Sequence, residues 1–201
     1  MDCLLEVKNL SFSYPAKTLF SDLSFTVKNR DRLLVTGPNG SGKTTLLKLI
    51  LGNLKPTGGT ITRAQNLRIA YCKQDFPNLD FPISAGEVVR MGLYGQKIDR
   101  SDDIARRAME KTNCLHLEKR LFPSLSGGER QRVSLARCLC QNARILLLDE
   151  PSSFLDSESE QTLIEIMGSL EDSNFAIIAV THDSAITDAL KWKQLRMGAN
   201  D

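Results

Sequence analysis

The sequence predicts an α/β fold built on a parallel β-sheet, and three observations carry that reading. The runs "RILLLDE" (residues 144–150) and "FAIIAVTH" (175–182) are almost wholly apolar, as strands buried on both faces of a parallel sheet are. A helical pattern at about residues 158–170 lies between them, completing a strand–helix–strand unit. A third apolar run, "RLLVTG" (32–37), leads through a Gly-rich loop into another helix.

Taken in order, the chain opens with "LLEVKNL" (4–10) and "LSFTV" (23–27). Both alternate apolar and polar residues, as half-buried antiparallel strands do. After the "RLLVTG" strand, "KTTLLKLILG" reads as a helix closed by Gly52. "GGTITR" (58–63) and "LRIAYC" (67–72) are two more short strands, and the two prolines within residues 75–82 mark a hinge. From 84 to 119 the pattern turns helical, with Val88, Val89, Leu93, Ile104, Ala108 and Leu115 recurring at roughly three and four. "SLSGGE" (124–129) reads as a turn feeding a helix. Ser126 caps that helix, and Gly127 and Gly128 let the backbone approach something closely. No repeat or low-complexity linker interrupts the chain.

The 201 residues suffice for one domain with a proper core. A formal net charge of +2 argues against a nucleic-acid partner, which calls for a basic face. No apolar run approaches the ~18 residues of a membrane span. "MDCLLEVKNLSFSY" carries acids and amides among its apolar residues and is no signal peptide, so a cytosolic chain is expected. The cysteines Cys3, Cys72, Cys114, Cys138 and Cys140 are odd in number and lack a C-x-x-C pair. They read as reduced, mostly as small core residues, with Cys138 and Cys140 facing apart on a helix. With only His116 and His182 as histidines, a zinc site is not expected.

"GPNGSGKT" (37–44) fits G-x-x-x-x-G-K-[ST] between an apolar strand and a helix, the context of a phosphate-binding P-loop. Its glycines free backbone N–H groups to wrap phosphates. Lys43 reaches the β/γ-phosphates and Thr44 supplies a hydroxyl to Mg²⁺. Asp149, at the end of the "ILLLD" strand, can hold the Mg²⁺ shell, and Glu150 can act as general base on an attacking water. Arg130, Arg132 and Arg137 read as a solvated helix face with some ion pairs.

These motifs fit many ATPases. "LSGGE" (125–129), lying shortly before "LLLDEP", resembles the signature of the ATP-binding-cassette (ABC) ATPases, and the resemblance spans nearly the whole chain. Gln74 in "YCKQD" matches the Q-loop glutamine. "SSFLD", ending in Asp156, matches the D-loop; His182 in "VTHD" matches the switch histidine; Tyr14 matches the aromatic that stacks on adenine. The resemblance implies an ABC ATPase fold: a nucleotide-binding core (about 1–77 and 127–201) with an N-terminal antiparallel β part, and a helical signature subdomain (about 78–126). It implies ATP and Mg²⁺ as cofactors. ATP would be held by Tyr14 and by the P-loop residues Gly37, Pro38, Asn39, Gly40, Ser41, Gly42, Lys43, Thr44 and Thr45. Thr44, Gln74 and Asp149 would hold the metal, and Lys43, Gln74, Glu150 and His182 would carry catalysis, with His182 on the γ-phosphate. Two cassettes pack head to tail in this family. Ser126, Gly127 and Gly128 would therefore complete the site of a second, identical chain, and the D-loop Asp156 would join the nucleotide-binding set. Phe154 departs from the pattern, standing where a small D-loop residue is common. The chain also stops soon after "WKQLRMG", where many relatives continue with a short strand or an accessory domain, so no added regulatory domain is expected within it.

"DFPISAGEVVRMGLYG" (80–95) resembles the matching segment in ATPase subunits of manganese/zinc/iron-type metal importers, with Glu87 for the usual Asp, Gly86 for a bulkier residue and Leu93 for Arg. Phe81, Ile83, Val88, Val89, Met91, Leu93 and Tyr94 give this segment more apolar surface than its own core needs. Some of it is expected to face outward and dock a membrane permease, placing the chain on the inner face of the cell membrane. Two other roles are weighed. One is a soluble cassette serving iron–sulfur assembly or another scaffold. The other is a DNA-repair or chromosome ATPase, which the short span from Gln74 to Ser126 disfavours.

Overall fold

The computed structural model describes residues 3–73, 82–96 and 101–198. A long antiparallel hairpin opens it: β1 (Cys3–Tyr14) pairs with β2 (Lys17–Lys28). The chain then enters the parallel sheet through β3 (Arg32–Thr36), leaves by α1 (Lys43–Leu51), and returns as β4 (Gly58–Arg63) to the free side of β1. Next come β5 (Ile69–Cys72) and the helices α2 (Ala85–Arg90), α3 (Ser101–Lys111) and α4 (Gly127–Leu139). The chain closes with β6 (Ile145–Asp149), α5 (Ser157–Ser169), β7 (Ala176–Thr181), α6 (Ser184–Leu190) and β8 (Lys193–Arg196).

The three-stranded antiparallel sheet has the order β2-β1-β4, and the five-stranded parallel sheet β5-β6-β7-β3-β8. The hairpin is longer than the two short runs suggested, with shifts in register near Asn9 and Asp22, both at positive φ. All residues of β6 and β7 are buried, as their continuous apolar sequence requires.

Alternation along the parallel strands divides the core. Leu33, Val35, Ile145, Leu147, Ile178 and Val180 face one side, where they meet α1 and the antiparallel sheet. Leu34, Leu146, Leu148, Ile177 and Ala179 face the other, against α4, α5 and α6. A third cluster holds the helical part together: Val88, Val89, Met109, Leu117 and Phe122 close over Val133 and Ala136 of α4 and Cys140, which caps its end. Helix α4 thus has one face in each of two cores. Cys138 lies on the sheet side and Cys140 on the helical side, facing apart as expected. All five cysteines are free, and four are buried.

Local chemistry sets the helix ends. Gly52 closes α1 in the left-handed conformation. Ser84 and Ser126 form capping boxes with Glu87 and Glu129, and Asp156 and Asp183 cap α5 and α6. Beyond α5, the Arg32 guanidinium donates to the carbonyls of Leu170, Glu171 and Phe175 at 2.6 to 2.8 Å. Gly86 has its own reason: a Cβ there would meet Glu118 Cγ at 2.8 Å and the Glu118 carbonyl at 3.1 Å.

Three sequence expectations change. "KQLR" is itself a strand: β8 pairs in parallel with β3 at the sheet edge. Helix α6 was not foreseen. Arg130, Arg132 and Arg137 are half-buried, not a solvated face; Arg130 donates to the Pro123 carbonyl and lies over the Phe122 ring. The hinge reading falls mostly on residues 75–81, which lie outside the described residues.

Three capping carboxylates are held below the usual carboxylate range. Glu87 is lowered by hydrogen bonds from the Ser84 side chain and backbone. Glu129 is lowered first by the Ser126 backbone and then by Arg120, and Asp156 by the Ser159 backbone. Their folded pKa values lie below the unfolded ones. Their contribution is therefore complete above the unfolded value and is lost as pH falls through the folded one. The melting temperature should drop on acidification below about pH 4. In thermal melts across pH 3–6, Glu129→Gln should flatten part of that acid limb, and an unchanged limb would remove Glu129 from the account.

Candidate functional site

Parallel register brings the chemistry to one edge. Asp149 pairs with Val180 across β6 and β7, and Thr181 pairs with Thr36 across β7 and β3. Asp149, Glu150, His182 and the loop that begins at Gly37 therefore emerge side by side. A cleft of about 630 Å³ opens there, a size typical of small-molecule sites. Its walls are Asn39, Gly40, Gly42, Lys43, Thr44 and Thr45, with Glu150 and His182 opposite and Leu19, Ser153 and Phe154 at the rim.

The loop leaves polar groups without protein partners. Gly42 caps α1 at φ 95° with no side-chain acceptor, whereas Ser84, Ser126, Asp156 and Asp183 each accept a bond at their own helix. The first N–H groups of α1 thus lack the side-chain partner those helices have. Ser41 Oγ is buried with no hydrogen-bond partner, a polar atom that a bound phosphate would satisfy. Gly37 sits hard against the chain that follows β8: a Cβ there would fall 2.3 Å from the Met197 carbonyl. Met197 N in turn donates to the Thr36 carbonyl at 2.7 Å. The chain beyond β8 braces the loop from behind.

Lys43 is only 6% exposed. Its ammonium donates to the carbonyls of Gly37 (2.9 Å) and Pro38 (3.2 Å) and lies 3.4 Å from Glu150 Oε1. The other oxygen, Glu150 Oε2, is 2.6 Å from His182 Nδ1. Glu150 takes a left-handed backbone, φ 48°, a conformation worth roughly 1–3 kcal/mol of strain. Its N–H bond to the Val180 carbonyl, 3.0 Å, holds it there. The carboxylate thus supplies the counter-charge for the nearly buried Lys43 ammonium.

Asp149 is 3% exposed and held by two hydroxyls. Thr44 Oγ1 donates to Oδ1 at 3.0 Å, and Tyr71 Oη donates to Oδ2 at 2.7 Å. Adjacent hard oxygens from Thr44 and Asp149 are a donor set that suits Mg²⁺.

The remaining expected site residues lie elsewhere. Gln74 is outside the described residues. Tyr14 is 47% exposed and meets Phe12 edge-on, ring centroids 5.0 Å apart; it is not among the cleft's lining residues, where Leu19 of β2 stands instead. Ser126 and Gly127 are exposed at the start of α4 and do not line this chain's own cleft. The Ser126 hydroxyl already accepts from Glu129 N, so that helix start is less bare than the sequence suggested. Gly128 is needed for packing, because a Cβ would meet Ser159 Oγ at 2.3 Å. Asp156 accepts from Ser159 N at 2.8 Å, acting as a helix cap. Phe154 is 89% exposed at φ 65°, its carbonyl beside Gly127.

Sequence reasoning missed Leu19, Ser153, Tyr71 and Met197. Only Tyr71 carried a partial signal: alternation along "IAYC" sets it on the face opposite Ala70 and Cys72, and the register of β5 with β6 makes that the face of Asp149.

Comparison with known proteins gives a consistent picture. The sequence model of the ABC transporter family matches residues 20–153. The manganese transport system ATP-binding protein MntB of Bacillus subtilis is 35% identical, over 94% of this chain and 81% of that protein. The hemin import ATP-binding protein HmuV of Thermobifida fusca is 36% identical, over 92% and 70%. Among solved structures, a metal-chelate type ABC transporter in an inward-facing conformation superposes with a TM-score of 0.87 at 34% identity, covering 98% of this chain and 80% of that one.

The geometry around Lys43 yields a direct expectation. Lys43→Ala removes the cation that Glu150 now neutralises and that a phosphate would claim. Hydrogen bonds to charged groups are worth roughly 1.5–3 kcal/mol, so ATP affinity should fall about tenfold or more. Equilibrium titration with a fluorescent ATP analogue measures it, and unchanged affinity would displace the phosphates from this loop.

Proposed function

Because the chain belongs to the ABC transporter family, we propose that it is the ATP-hydrolysing subunit of an importer that moves a metal ion or metal chelate through a separate membrane permease. The family match supports the ATPase role, and the manganese, hemin and metal-chelate relatives support the cargo. The observation that carries the reading is the cleft itself, where Lys43, Glu150 and His182 converge beside an α1 start that no side chain caps.

The chemistry follows from that arrangement. The N–H groups of the loop and the Lys43 ammonium receive the phosphates, drawing Lys43 away from Glu150. Thr44 and Asp149 would hold Mg²⁺, which when bound offsets phosphate charge. Freed of Lys43, the Glu150 carboxylate takes a proton from a water that attacks the γ-phosphorus, and ADP leaves as phosphate forms. His182, on the other carboxylate oxygen, fixes the orientation of Glu150 and stands beside the γ-phosphate position.

One chain supplies half of this machinery. Ser126 and Gly127 are exposed and do not line the cleft around Lys43, which supports a head-to-tail pair in which each signature covers the other chain's nucleotide. Mixing tests the arrangement together with the ATPase reading. Ser126→Arg and Lys43→Ala chains should each be inactive alone. Mixed, they form some dimers with one intact site, so hydrolysis should partly recover. An active Ser126→Arg chain, or a mixture as dead as its parts, would break the reading.

A second groove, of about 400 Å³, runs between Arg68 and Ile69, Met91, Gly92 and Tyr94 to Gln96, and Gln141 and Ala143. The outward apolar surface is smaller than the sequence suggested: Ile83, Val88, Val89 and Leu93 are buried, Phe81 lies outside the described residues, and Tyr94, 77% exposed, is the main projection. We assign this groove to a permease segment at the cytoplasmic membrane face. Among the described residues no helix is long and apolar enough to cross a membrane itself. Tyr94→Ala should lose co-purification with the permease from membranes while basal hydrolysis persists. Equal permease recovery with both chains would remove Tyr94 from the docking surface, whereas a chain found wholly in the soluble fraction would favour a soluble scaffold role.

A further inference from the structure

The geometry points to Tyr71 as a positioning residue for the Mg²⁺-binding carboxylate, an inference that rests on the reading of the cleft as a metal–nucleotide site. The reason lies in the sheet. In the parallel register of β5 and β6, Tyr71 stands beside Leu147, two residues short of Asp149. Alternation sends Tyr71, Leu147 and Asp149 to the same face, the one that carries α1 and Thr44. Two residues of strand span roughly 6.6 Å. A tyrosine hydroxyl covers that distance along the sheet, whereas a serine or threonine at the same position would fall short. The ring packs against the core beneath α1, and the hydroxyl reaches Asp149 Oδ2 at 2.7 Å.

Asp149 is thereby clamped from two elements. Thr44 on α1 holds Oδ1, and Tyr71 on β5 holds Oδ2. A carboxylate fixed at one oxygen can turn about its terminal bond, but one fixed at both cannot. At 3% exposure, little water can replace a lost donor. Tyr71 therefore sets the plane of the carboxylate, and with it the direction in which Asp149 and Thr44 present oxygen to a metal. Tyr71 is not among the residues lining the cleft, and it acts on the site through Asp149.

Tyr71→Phe keeps the packed ring and removes the hydroxyl that donates to Asp149. The informative quantity is the gain in binding that Mg²⁺ confers on a non-hydrolysable ATP analogue: its Kd in EDTA divided by its Kd in saturating Mg²⁺. We expect this ratio to fall on the order of tenfold in the variant, the scale of one hydrogen bond to a charged group. The EDTA value should stay within about twofold of wild type, which also reports that the variant is folded. A ratio equal to wild type, or equal losses with and without Mg²⁺, would overturn the role of Tyr71 while leaving the cleft's assignment intact. A wild-type ratio near one would instead overturn the metal–nucleotide reading, and Tyr71's role with it.

Discussion

Strands β3, β6 and β7 end level with one another because parallel pairing holds Asp149 beside Val180 and Thr181 beside Thr36. No other constraint in the molecule has so many dependants. It sets Glu150, His182 and the P-loop within ångströms of each other, although they are more than a hundred residues apart in sequence at the extremes. The pairing is secured by apolar residues on both faces of β6 and β7, so the precision of a charged site derives from the least polar stretches of the chain. A one-residue slip would turn Asp149 away from Thr44 and bury it against the opposite helices.

The same edge solves an electrostatic problem. Lys43 and Glu150 are both nearly buried, and an isolated charge there would be costly. Each neutralises the other, and the loop carbonyls and His182 satisfy what remains. In the proposed mechanism a bound phosphate would rearrange this pair, which would link phosphate binding to the release of Glu150.

Much of this was readable in the sequence, for physical reasons. Strands buried on two faces write themselves as unbroken apolar runs, so β3, β6 and β7 could be seen directly. A tight strand-to-helix loop needs glycines at positive φ, so the loop from Gly37 into α1 was equally plain. What escaped were features set by tertiary contact. β8 lies at a sheet edge and reads only "KQLR", because backbone pairing to β3 holds it more than its side chains do. Tyr14 and Leu19 lie on the two strands of one hairpin, and the lining residue is decided by how that hairpin sits over Gly42, where a Cβ would meet Leu19 and Phe20. The outward surface near Tyr94 was overestimated, since α4 supplies a second core that absorbs Val88, Val89 and Leu93.

Helix α4 belongs to two cores at once, with Leu135 and Cys138 in one and Val133, Ala136 and Cys140 in the other. Gly92 joins it so closely that a Cβ would lie 2.1 Å from the Arg137 carbonyl. Melting the helical layer would strip apolar cover from α4, and losing α4 would uncover the sheet. The two parts therefore share one cooperative transition, and the described fold should lose its structure as a whole, without a half-folded state in which the sheet survives bare.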